Sequence, residues 1–109
     1  MTDKVQVAVI GTGGIAGGHA KRLLAIPEVQ IVALADPNRD HIERFRRRVP
    51  ELPDCPAFTD HEEMLGSVNA DAAVICSPHN VHCRQILDCL EAGVHVLVEK
   101  PMVCSIEDA

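Results

Sequence analysis

Lys100 stands just past an apolar run, Val96-Leu97-Val98, inside the pentapeptide VEKPM at 98–102. A carboxylate precedes it, and a proline that stiffens the backbone follows it. A lysine that only solubilises a surface has no need of that position. Partial burial at a strand end lowers an ammonium's pKa toward the range useful for moving protons. An exposed ion pair with Glu99 is the plainer reading of the same residues.

A second group lies at the other end of the chain. VAVIGTGGIAGGHA carries Gly11 and Gly13 after a strand-like run, with Ala16 at the third position of G-x-G-x-x-G/A. Gly11 permits a tight turn, and Gly13 lets the backbone approach a pyrophosphate. A small Ala16 lets the next helix pack close to the sheet, and that helix's N-terminus favours anionic phosphate. Gly11, Thr12, Gly13, Gly14 and Ile15 form the candidate cradle. Asp36 ends the next strand-like run, 25 positions after Gly11, close to the ~20 of the dinucleotide fingerprint. Its carboxylate suits an adenosine ribose and repels a 2′-phosphate, which favours NAD. Arg39 could pair with that phosphate, so NADP stays open. Asp36 as a simple helix cap is the structural alternative.

The third group is CSPHNVHC at 76–83. Cys76, His79, His82 and Cys83 have metal-like spacing. Cys76 falls at a strand end and Cys83 on an apolar helix face, which speaks against convergence on one tetrahedral centre. No metal site is assigned.

Alternating elements must position these residues. Strands are expected at Val5–Ile10, Val29–Ala35, Ala72–Cys76 and Val94–Val98, with a brief edge strand at Ala57–Thr59. Helices are expected at Ile15–Ile26, Arg39–Val49 and Asn80–Ala92, stopped by Pro27 in the first case and Gly93 in the last. Ile15, Leu23 and Leu24 are the expected core positions of the first helix. Ile42, Phe45 and Val49 share one face of the second, with its arginines largely on the other. Cys83, Ile86, Leu87 and Leu90 fit the buried stripe of Asn80–Ala92. Thr59 and Asp60, each three residues before a glutamate, offer two capping-box registers for a short helix. Ser105 and Asp108 look like the cap of one more. Gly17 is expected to allow close packing on a neighbouring strand, whereas Gly18 has no evident role. Strands separated by helices imply parallel pairing through βαβ crossovers, covered on both faces. The fold class is therefore α/β, a doubly wound parallel sheet of the Rossmann type.

Composition narrows the partners. The 109 residues are 47% hydrophobic, enough for one cored domain. Ten basic against sixteen acidic residues give a net charge of −6, and there is no Trp or Tyr. That argues against a nucleic-acid or anionic-membrane surface. No apolar run approaches a membrane span. The five cysteines show no spaced framework and read as reduced thiols of a cytoplasmic protein.

Taken together, the glycine loop, Asp36, CSPHNVH and AGVHVLVEKPM resemble the N-terminal domain of the Gfo/Idh/MocA oxidoreductase family. The resemblance spans essentially residues 1–109, and its most specific parts are EKP at 99–101 and Pro-x-x-x-His at 78–82. It implies nucleotide binding, with Ser77, Pro78, His82 and Glu99 as cofactor neighbours. It implies that Lys100 lies beside the nicotinamide and the reacting carbon, orients the substrate hydroxyl and assists the proton during hydride transfer. It also suggests a cis Lys100–Pro101 bond. His79 departs from the small polar residue more usual there. The expected parent is an NAD(P)-dependent dehydrogenase acting on a sugar, inositol or related polyol, and a homo-oligomer. Its substrate domain would follow residue 109, leaving this chain a truncated cofactor-binding domain that is inactive alone. Two alternatives are an NAD-dependent glycosidase of the same family and a non-catalytic NAD(P)-binding regulator.

Overall fold

The computed structural model describes residues 5–76 and 79–98, with all side chains in these ranges except those at 14, 15, 79–83 and 98. Among the described residues nine elements alternate: β1 (Val5–Ile10), α1 (Gly14–Leu24), β2 (Val29–Ala35), α2 (Arg39–Arg48), β3 (Ala57–Phe58), α3 (His61–Ser67), β4 (Ala72–Ile75), α4 (His79–Glu91) and β5 (His95–Val98). The strands form one sheet in the order β3-β2-β1-β4-β5. Every pairing is parallel. This is a Rossmann arrangement, with strand order reversing direction between β1 and β4.

Two apolar layers cover the sheet. On one face Val9, Ile31 and Leu34 pack with Ala16 and Ala20 of α1 and Ile42 and Phe45 of α2. On the other, Ala8, Ile10, Ala33, Ala35, Ala73 and Ile75 pack with Met64 of α3 and Cys89 of α4. A register shift between Val7 and Ala8 makes Val7 pair with Ile31 and Ala8 with Ala33, skipping Val32. An extra residue reverses side-chain parity. Ile31 and Leu34 thereby reach the same face despite their odd spacing.

Helix ends follow the expected local chemistry. Asn38 caps α2 by accepting from the Asp40 amide, and Asp60 caps α3 by accepting from the Glu62 amide. Of the two registers open at the start of α3, the structure uses Asp60. Gly93 has φ +77°. The amides of Gly93 and Val94 bond to the carbonyls of Leu90 and Cys89, at 3.1 and 2.9 Å. Those two bonds make a Schellman end for α4. His61 at the start of α3 meets Asp88 of α4 at 2.7 Å, and Arg84 approaches the same carboxylate oxygen at 3.4 Å. Glu62 brings a third ligand-type atom within 4.8 Å of these, but Asp88 already has two nitrogen partners from the chain itself.

Several expectations change. Among the described side chains of α1 the buried ones are Ala16 and Ala20, with Leu23 and Leu24 only half-buried, and the side chain of Ile15 lies outside the described set. Among the described side chains of α4, Cys89 is fully buried, Gln85 is buried and Ile86 is half-buried, whereas Leu87 and Leu90 are exposed, and the side chain of Cys83 lies outside the described set. The helix carries two adjacent apolar stripes, and the sheet contacts only one. A Cβ at Gly17 would meet Val49 Cγ2 at 4.0 Å. Its neighbour is thus the end of α2, not a strand, at an ordinary contact distance. The helix start suggested at Ser105 and the Lys100–Pro101 bond lie outside the described residues. No helix among the described residues is long and apolar enough to cross a membrane.

Candidate functional site

Register brings the sequence motifs to one edge. Ile10 pairs with Ala35 on one side and with Ile75 on the other, and Ile75 pairs with Val98. Ala35 also pairs with Phe58. Phe58, Ala35, Ile10, Ile75 and Val98 therefore form one row across the carboxyl ends of the strands. Gly11, Asp36, Cys76 and Glu99 each come next in sequence after a residue of that row. In open parallel sheets, ligands bind outside this edge, at the point where strand order reverses.

The glycine loop is fixed at its base. Gly11 has φ +87°, the left-handed region that favours glycine. Its amide bonds to the Ala35 carbonyl at 2.7 Å, while the Cys76 amide bonds to the Ile10 carbonyl at 2.8 Å. The turns after β1, β2 and β4 are thus tied together. Gly13 is the N-cap of α1, with extended φ/ψ and no side-chain cap. Among the described residues a Cβ there would meet nothing within 4 Å, so packing against them does not demand glycine. The open space above this backbone suits a ligand that approaches closely. The first turn of α1 also holds no acidic residue, unlike α2 and α3. Its amide ends are left for an anion.

Thr12 and Asp36 form the buried centre. Thr12 is 0% exposed and Asp36 is 7% exposed. Asp36 Oδ2 accepts from the Thr12 amide at 2.8 Å and from the Thr12 hydroxyl at 2.9 Å, and Oδ1 accepts from the Asn38 amide at 2.8 Å. Asn38 is the cap of α2, so Asp36 is not a simple helix cap. His41 Nδ1, half-exposed in the first turn of α2, lies 3.4 Å from Asp36 Oδ2. Arg39 opens α2 and is exposed.

Two contributors were missed in the sequence. Arg48 Nη2 donates to the carbonyls of Thr12 at 3.1 Å and Gly13 at 3.3 Å. The arginines of α2 read as a solvent face, and no local spacing marks Arg48 as different. His41 had a weak signal, since a helix starting right after Asp36 turns its first residues back toward that strand end.

Gly11, Thr12, Gly13, Gly14 and Asp36 are brought together at this edge. For Ile15 and His82 the backbone lies in α1 and α4, and their side chains fall outside the described set. Ser77, Pro78, Glu99 and Lys100 also lie outside the described residues. Of the metal-spaced set only the Cys76 side chain is described. Cys55 and Cys89 are buried and in no disulfide.

Known proteins share this arrangement. A family model described as an oxidoreductase family with an NAD-binding Rossmann fold, Gfo/Idh/MocA, matches residues 5–109. The chain is 32% identical over 104 residues to myo-inositol 2-dehydrogenase of Thermotoga maritima, covering 95% of this chain and 30% of that protein. It is also 32% identical over 114 residues to glycosyl hydrolase family 109 protein 1 of Akkermansia muciniphila, covering 97% and 23% respectively. The crystal structure of Lactobacillus casei scyllo-inositol dehydrogenase with bound NAD(H) and scyllo-inositol superposes with a TM-score of 0.83 at 25% identity, over 97% of this chain and 31% of that one. The chain thus spans under a third of the length of these relatives. A parallel sheet with the glycine turn, its acidic partner and a family match over nearly every residue leads to one conclusion: the chain belongs to the Gfo/Idh/MocA oxidoreductase family and is an NAD-binding Rossmann domain.

Proposed function

We propose that this chain is the cofactor-binding part of an NAD-dependent dehydrogenase that oxidises a secondary hydroxyl of a sugar, inositol or related polyol. The observation that carries the reading is the row Ala35–Ile10–Ile75–Val98. It sets the glycine loop, Asp36 and the segments leading to Ser77 and Lys100 along one sheet edge.

In this reading the amides of the Gly13–Ile15 turn bind the pyrophosphate. Asp36 Oδ1, engaged here by the Asn38 amide, has a second acceptor position for a ribose hydroxyl. The charge of Asp36 disfavours a 2′-phosphate, so NAD is preferred over NADP despite Arg39. Ser77, Pro78, His82 and Glu99 neighbour the cofactor. Bound NAD supplies the hydride acceptor. Lys100 would orient the substrate hydroxyl and assist the departure of its proton, the partner of the hydride that the cofactor would accept in the two-electron oxidation. The inositol dehydrogenases among the relatives support the polyol class.

Titration of the 109-residue chain with NAD⁺ and NADP⁺ by calorimetry tests the cofactor half. The expected result is weak binding with NAD⁺ tighter, and tighter NADP⁺ would refute the assigned role of Asp36. For the longer protein, net reduction of added NAD⁺ by a polyol tests the reaction. A glycosidase with transient oxidation leaves the NAD⁺ pool unchanged.

A further inference from the structure

We infer that Arg48 is a positioning residue for the phosphate cradle: it aims the amides of Gly13 and Gly14 by holding the two carbonyls that precede them. This rests on the NAD-binding reading above. The Thr12 carbonyl shares a peptide with the Gly13 amide, and the Gly13 carbonyl shares one with the Gly14 amide. In a planar trans peptide the C=O and N–H point in opposite directions. Arg48 Nη2 draws both carbonyls toward the end of α2. The two amides are therefore turned away from α2, and a cationic donor on each carbonyl polarises the peptide so that its N–H donates more strongly.

Asp36 holds the same loop from the preceding peptide, through the Thr12 amide and hydroxyl. Thr12 thus spends its amide and hydroxyl on Asp36 and its carbonyl on Arg48. One anchor is an anion taking donors, and the other is a cation giving to acceptors. Between them they fix the loop's peptide planes before any ligand arrives.

The fold explains how the last turn of a crossover helix reaches this loop. β3 pairs only with Leu34 and Ala35, the final residues of β2. The crossover through α2 therefore both leaves and returns at the carboxyl edge of the sheet. Val49, the residue after α2, packs beside Gly17 in α1. Arg46 Nη2 bonds to the Cys55 carbonyl at 2.9 Å, fastening the return loop to the helix. These contacts bring Arg48 against the loop from 35 and 36 residues away in sequence.

The test compares Arg48→Ala, Arg48→Lys and Arg47→Ala in the 109-residue chain. Arg47 is exposed on the same helical turn, so its loss removes equal charge without a loop contact. Readouts are NAD⁺ affinity by calorimetry, amide exchange at residues 12–14 and thermal midpoint. Arg48→Ala is expected to weaken NAD⁺ about tenfold, the scale of losing charge-assisted hydrogen bonds, and to speed exchange at Gly13 and Gly14. Arg48→Lys keeps the charge but not the guanidinium geometry, and is expected to lose affinity about threefold on the same scale. Arg47→Ala stays near wild type, and all midpoints stay close together. Full rescue by Arg48→Lys, an equal loss in Arg47→Ala, or unchanged loop exchange in Arg48→Ala overturns the inference. A wild-type chain that takes no NAD⁺ refutes the cofactor reading and this inference with it. Wild-type binding with an Arg48→Ala that binds equally well refutes only the inference.

Discussion

Thr12 donates both its backbone amide and its hydroxyl to one oxygen of Asp36, at 2.8 and 2.9 Å, with both residues buried. The fingerprint acid is therefore a part of the loop's own architecture as well as a candidate ribose ligand. Its other oxygen takes the Asn38 amide, so three donors converge on two oxygens.

A carboxamide at 36 offers only one acceptor oxygen to those three donors. Asp36→Asn is expected to lose about 1–3 kcal/mol of stability, the cost of leaving a buried donor unsatisfied. Thr12→Val removes one hydroxyl bond and keeps the amide bond, so its loss is expected to be smaller, about 1 kcal/mol. Urea denaturation of both variants checks the order. In the same protein Asp36→Asn should narrow the NAD⁺ over NADP⁺ preference, because the charge opposing a 2′-phosphate is gone.

Gly18 and Gly93 both face open space, and alanine is expected to act in opposite directions at the two. Gly18 lies inside α1 at ordinary helical geometry, and a methyl group there would meet nothing within 4 Å. Gly18→Ala should stabilise by about 0.5–1 kcal/mol through helix propensity. Gly93 has equal room but φ +77°. Gly93→Ala should destabilise by roughly 1 kcal/mol from left-handed strain. Thermal unfolding of the two single variants tests the sign.

Burial, with a smaller push from the neighbouring Asp88 carboxylate, raises the Cys89 thiol from its ordinary 9.0 to about 11. Native chain at pH 8 should resist thiol alkylation at Cys89, and unfolded chain should not. A group whose folded pKa is raised leaves stability intact below its unfolded value. That contribution is lost between about 9 and 11, where the unfolded thiol ionises and the folded one does not. Denaturation midpoints of wild type and Cys89→Ala from pH 8 to 10.5 should diverge in this way, with the variant less sensitive to pH.

Lys100→Met in the dehydrogenase proposed above tests the proton role. Met keeps the length and apolar stem, while the glycine loop and Asp36 are assigned to hold the cofactor. Turnover should fall by ~10²-fold or more, without recovery at saturating substrate, because the lost interaction belongs to the transition state. NAD⁺ affinity should change little. Surviving turnover with collapsed NAD⁺ affinity would make Lys100 a cofactor ligand instead.

The sequence by itself determined whatever depends on neighbours within a few residues. Strands β1 and β2 ended where Gly11 and Asp36 said they would, and Gly93 stopped α4, because turns and caps are local chemistry. Alternation of strand and helix was enough for a parallel sheet. Tertiary structure decided the rest. Which of two apolar stripes on α4 is buried depends on the surface it meets, so Cys89 went inside and Leu90 stayed out. The register shift at Val7 and Ala8 depends on how two strands hydrogen-bond, and neither strand records it alone. The one-residue alignment of Ile10, Ala35, Ile75 and Val98 is likewise a property of paired strands. Arg48 could not be told from its neighbours in an arginine-rich helix. Only a β3 confined to the end of β2 turns the crossover back toward the glycine loop, and that makes one arginine of the row a partner of Thr12 and Gly13.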